Sequence, residues 1–181
     1  MPPLRKEDIM VRNVKTFTGH DGQGFNATLY VRGKRTADVV SLADGGEFEY
    51  TWHLPEGKRR HFGGELEREL KAYAAALPGV ECPELKRTLP QSLDMVVEDL
   101  VNDVLEERKY RRECRTKTLF TIKGDPDHLW QVARPYTPDL AVKLRAKHGD
   151  ALQEIINERY LVKTPTLGAA EDEQDVDSPR P

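Results

Sequence analysis

The sequence predicts an α+β fold: an N-terminal antiparallel β-meander with a covering helix, a long central amphipathic helix, a C-terminal β-hairpin plus helices, and a disordered acidic tail. Three observations carry that expectation. Apolar residues alternate with a period of two through much of the first fifty positions. The period becomes helical after Leu66, and again without a gap between Leu93 and Leu105. Beyond Lys163 aromatic residues cease and acids accumulate.

The first strand spans 10–17, where Met10, Val11, Val14 and Phe17 stand among polar neighbours. The second spans 25–31, alternating Phe25, Ala27, Leu29 and Val31 against Asn26, Thr28 and Tyr30, as a sheet with one covered face requires. Arg32-Gly33-Lys34-Arg35 turns the chain into a third strand over 36–42. Asp44-Gly45-Gly46 turns it into a fourth over 47–53, where Phe48, Tyr50 and Trp52 share one face. Short loops make these four an antiparallel meander. After Pro55-Glu56-Gly57, Leu66, Leu70, Tyr73, Ala74 and Leu77 follow helical spacing until Pro78-Gly79 stops it.

A linker over 78–87 leads to a helix that opens near Pro90 and runs to about residue 113. Leu93, Val96, Val97, Leu100, Val101, Val104 and Leu105 form its single apolar stripe, which must be buried and is the expected spine between two sheet-bearing halves. Residues 118–122 and 129–133 read as a hairpin about Gly124-Asp125-Pro126. Thr137-Pro138 places a capping residue before a proline at the first helical position, and Gly149 ends that helix. Residues 150–161 fit helix or strand, and the spacing of Leu152, Ile155, Ile156 and Arg159 favours helix. The expected divisions are 1–77 (meander plus helix), 78–115 (linker and long helix), 116–163 (hairpin plus helical segment) and 164–181 (disordered tail).

A chain of 181 residues suffices for one domain or two small ones, and it needs neither disulfide nor metal to stabilise its core. Cys82 and Cys114 lack C-x-x-C spacing and a histidine at zinc-finger distance, so they read as reduced thiols. With neither a leader-like start nor a long apolar run, the expectation is a cytoplasmic protein off the membrane. The net charge of −3 arises from residues 170–181; the rest is almost balanced, so nucleic-acid affinity would need a local patch.

One such patch is Arg108, Lys109, Arg111, Arg112, Arg115 and Lys117, six cations that could track a phosphate backbone with Tyr110 to stack on a base and Lys58-Arg59-Arg60-His61 to extend it. The plainer reading is a basic helix end that satisfies terminal carbonyls. Asp99, Asp103 and Glu106 lie at helical spacing and could hold Mg²⁺ or Mn²⁺ for a nuclease or phosphatase, although acids early and bases late are also what the helix dipole favours. Trp130, beside Arg134-Pro135-Tyr136, suits a protein interface if it is partly exposed; otherwise Trp52 and Trp130 close the two sheet cores.

Gly19-His20-Asp21-Gly22-Gln23-Gly24 resembles a phosphate cradle in composition only. A strand follows it where such loops need a helix, so it reads as a hairpin connection, with His20 and Asp21 its only polar tools. The five histidines form no metal motif, and Ser41, Ser92 and Ser178 lack a nucleophile setting. No cofactor is implied. Without a convergent catalytic set, the leading expectation is a small non-enzymatic binding or regulatory protein, adaptor-like or inhibitor-like and phage or mobile-element encoded, that acts on a protein partner. The alternatives are nucleic-acid binding through 108–117 and a metal-dependent hydrolase.

Overall fold

Five antiparallel strands, hydrogen-bonded in sequence order, form the larger sheet: β1 (Ile9–Thr18), β2 (Gln23–Val31), β3 (Lys34–Ser41), β4 (Glu49–His53) and the two-residue β5 (Arg59–Arg60). The computed structural model describes residues 2–53, 59–82 and 86–161. Ile9, Val11 and Val14 all reach the core although their spacing breaks strict alternation. A bulge between Arg12 and Lys15, with Asn13 at φ 54°, resets the register. Arg32 and Gly33, both at positive φ, make the tight turn between β2 and β3.

Helix α1 (Glu65–Ala76) and helix α2 (Leu93–Glu113) cover one face of this sheet. The core joins Phe25, Ala27, Leu29, Val39 and Trp52 to Leu70 of α1 and to Leu93, Val97 and Val101 of α2, with Leu100, Val104 and Leu105 packed at its margin. On the sheet's other face Asp38 gathers Thr28, Arg35 and His53. Between the helices β6 (Val80–Cys82) and β7 (Arg87–Leu89) pair in a small hairpin where the sequence suggests only a linker. These strands are three residues each, and their side chains are exposed or half-buried, so they carry no alternation to read.

The chain divides into two compact units, Met1–Lys109 and Tyr110–Pro181. The second contains β8 (Thr118–Ile122), β9 (Asp125–Val132), helix α3 (Pro138–His148), β10 (Leu152–Ile155) and helix α4 (Asn157–Leu161). Thr137 caps α3 by accepting a hydrogen bond from the Leu140 N–H at 3.2 Å, and Gly149 ends it at φ 51°, as the sequence predicts. The expected hairpin gains a third strand, in the order β10-β8-β9. Residues 150–161 are therefore not one helix: β10 pairs with β8, and Asn157 starts a short helix after it. Long-range pairing overrides the local spacing here.

The second core holds Phe120, Ala141, Leu144 and Ile155. Cys82 and Cys114 are free thiols. Among the described residues no helix is long and apolar enough to cross a membrane. Pro55-Glu56-Gly57 and residues 164–181 lie outside the described residues.

Candidate binding groove

The first unit carries an open groove of about 500 Å³ between β4 and the N-terminal turns of α1 and α2. Its aromatic wall is Phe48, Tyr50, Trp52 and Phe62, and its charged groups include Glu47, Glu67, Lys71 and Asp94. Alternation along β4 turns Tyr50 and Trp52 to the same face, where their rings stack at 5.5 Å. Phe48 meets Phe25 edge to face at 5.2 Å. Gly63 lies close against the Trp52 indole, where a Cβ would come within 2.4 Å of the ring, so glycine is required at that position. Phe62, the preceding residue, is 78% exposed.

Two carboxylates fasten the groove's sides. Asp94 stands in the first turn of α2, where the helix dipole favours an acid. It accepts hydrogen bonds from the Phe48 N–H at 3.0 Å and the Tyr50 hydroxyl at 2.7 Å, fixing α2 to β4. Burial, the bond to Asp94 and the charges of Asp94 and Glu67 push the Tyr50 phenol well above its ordinary range, so it remains a donor. Glu67 accepts from the Gly63 N–H at 2.9 Å and from the Lys71 ammonium at 2.7 Å. Those two bonds, Lys71 first, hold the Glu67 carboxyl below the usual range, while Glu67, Glu47 and Asp94 together raise the Lys71 ammonium.

Both oxygens of Asp94 and of Glu67 are engaged by donors of the fold. The nearby Ser92 hydroxyl caps α2 by accepting from the Met95 N–H at 3.2 Å. What remains for a ligand is aromatic surface at the edge of a carboxylate-rich cleft.

His61, read in the sequence as an extension of the basic patch, also lines this groove, whereas the candidate metal, basic-stretch and interface residues lie elsewhere. Asp99 and Asp103 border a second, smaller cleft of about 250 Å³ with Lys6, Ile9, Tyr73 and Leu100, and Glu106 is exposed on the same helix. Among the described residues no three His, Cys, Asp or Glu side chains gather as metal ligands would. The basic stretch has divided loyalties. The Arg108 guanidinium donates to the Val14 carbonyl at 2.6 Å within the first unit, and Lys109 is exposed there. In the second unit Arg111 lies over the Tyr160 ring at 5.5 Å, Arg112 and Arg115 are exposed, and Lys117 is half-buried.

Trp130 does not close the second core. It is 45% exposed on β9, with its ring 6.4 Å from that of Phe120 and its indole N–H donating to Asp125 at 3.1 Å. Arg134 is exposed, whereas Tyr136 packs against the core and donates its hydroxyl to Glu158 at 2.9 Å. The Gly19–Gly24 run is a hairpin connection, with Thr18 paired to Gln23, and a Cβ on Gly19 would lie 2.3 Å from the Leu42 carbonyl oxygen. His20 and Asp21 are exposed on it. Sequence reasoning missed the groove because Phe48, Tyr50 and Trp52 read as one core face. The available signal was Phe62-Gly63-Gly64, a large aromatic before two glycines at a helix start. Comparison with protein-family models, curated proteins and solved structures finds no match to this chain.

Proposed function

We propose that this is a non-enzymatic binding protein whose first unit receives a segment of a partner protein in the groove walled by Phe48, Tyr50, Trp52 and Phe62. The observation that carries the reading is Phe62, a large aromatic side chain 78% exposed at the margin of a groove of about 500 Å³. Burying such a ring releases apolar surface from water, and aromatic side chains in pockets dominate the energetics of protein interfaces. The groove's volume falls in the range of roughly 300 to 1,000 Å³ that specific sites occupy. Free thiols at Cys82 and Cys114 support a reducing, cytoplasmic setting.

Display selection of random peptides on the immobilised full chain tests the reading. A recurring sequence is expected to be enriched, and Phe62→Asp is expected to weaken its capture by about ten-fold or more, the scale of a lost aromatic anchor. Because Phe62 is exposed, the variant's denaturation midpoint stays at the parental value. Enrichment that ignores Phe62→Asp, or no enrichment at all, defeats the proposal.

A further inference from the structure

We propose that the groove selects a segment bearing a guanidinium or ammonium side chain, seated on the aromatic wall beside Glu47, Glu67 and Asp94. The inference rests on the docking reading above and adds the chemistry of the occupant.

Charge complementarity supports it. Among the described residues, three carboxylates border the groove against one lysine and one histidine, His61. Apart from Lys71, the donors that hold Asp94 and Glu67 are neutral: two backbone N–H groups and a phenol. Hydrogen bonds from neutral donors stabilise a carboxylate without cancelling its charge, so the cleft keeps a surplus of negative potential. Lys71 registers that surplus, because Glu47 and Asp94 as well as its own partner Glu67 favour its charged form.

The wall supplies the second element. Aromatic faces attract cations, and long basic side chains lay their methylene stems along apolar surface while the charged end stays near its counter-ions. Phe62 and Tyr50 offer the surface for a stem, and Glu47, exposed at the groove, offers the charge. Among the described residues that line the groove, an acidic or phosphorylated segment would meet Lys71 and His61, and Glu67 already holds the Lys71 ammonium at 2.7 Å.

The test is an amide-shift titration of the full chain with three acetylated pentapeptides that alternate leucine with arginine, glutamine or glutamate. The Phe48 and Gly63 amides report directly, since each donates to a groove carboxylate. The arginine peptide is expected to move both and to bind about ten-fold more tightly than the glutamine peptide, with affinity falling as salt rises. Two substitutions at exposed positions fix the sign. Glu47→Gln is expected to weaken the arginine peptide about three-fold, and Lys71→Gln to tighten it by a similar factor, the scale of one partly screened charge. Equal binding of the arginine and glutamine peptides overturns the cation preference and leaves the docking reading to the display selection. Preference for the glutamate peptide, with loss of its binding in Lys71→Gln, makes the groove an anion site and overturns the proposal outright. Silence of both amides toward all three peptides also overturns it.

Discussion

In the first unit fifteen apolar side chains among the described residues gather between one sheet face and two helices, whereas the core of the second holds four. The smaller core is supplemented by polar contacts. The buried Asn157 accepts from the Leu119 N–H at 2.8 Å and donates to the carbonyls of Lys117 at 2.8 Å and Cys114 at 3.1 Å, joining α4 to β8 and to the segment that leads into it. Thr118, also buried, donates to the Arg134 carbonyl at 3.0 Å. Glu158 collects both the Tyr136 hydroxyl and the Arg145 guanidinium. The contrast teaches that one unit is specified by repetition of apolar positions and the other by a few polar groups with little redundancy.

The largest effect that tests this contrast is expected at Leu29, which is fully buried on β2. Leu29→Ala removes its methyl groups from a close-packed core and leaves a cavity, costing about 3 to 5 kcal/mol. Native-state hydrogen exchange read at the β2 amides measures it. A loss below about 1 kcal/mol would mean that the core collapses around the gap, so that the repeated pattern does not hold this unit together.

Asn157→Ala is next. It strands one N–H and two carbonyl oxygens that the asparagine satisfies, and a cost of about 2 to 3 kcal/mol is expected, read from exchange at the β8 amides, Leu119 above all. If β8 keeps its full protection, water replaces the side chain without penalty, and the polar network is an ornament of the second unit instead of its fastening.

The same contrast explains what could be read from the sequence. The β2 alternation, the Arg32-Gly33 turn, the α2 stripe and the Thr137-Pro138 cap are local signals, and each corresponds to an element of the structure. The stripe's destination was not local. Six of its seven aliphatic side chains belong to or border the first unit's core; the seventh, Val96, is buried but stands outside that cluster. A periodic pattern says that a face is covered without saying by what. β10 and the role of Asn157 were hidden for the complementary reason, since pairing with β8 and three hydrogen bonds to residues about forty positions away leave no mark on neighbouring residues. The groove fell between these cases: its wall residues were visible as a strand face, but its opening depends on where Gly63 and Asp94 bring the two helices.

Acid offers the gentlest way to separate the units. In the first, three carboxyls among the described residues lie below their ordinary range. Burial is the largest single influence on Asp38 and raises it, but hydrogen bonds from Arg35 and His53 outweigh it; the Arg32 guanidinium lowers Glu69, and Lys71 lowers Glu67. In the second, Arg159 lowers Glu154. A carboxyl whose folded pKa is depressed contributes stability that is fully present above its unfolded value and is lost as pH falls through the folded one. Acidification from about pH 6 to about pH 3 is therefore expected to lower protection in β2 more than in β8, by less than either core substitution, because these pairs are partly exposed and screened. Exchange compared at the two pH values, with Glu69→Gln as the control, measures the difference. Parent and variant should draw closer as the pH falls, because the parent's carboxyl loses its contribution as the pH descends toward the folded pKa. A steeper acid loss in β8 would assign the acid-sensitive contacts to the second unit and reverse the electrostatic half of the comparison while leaving the packing half untouched.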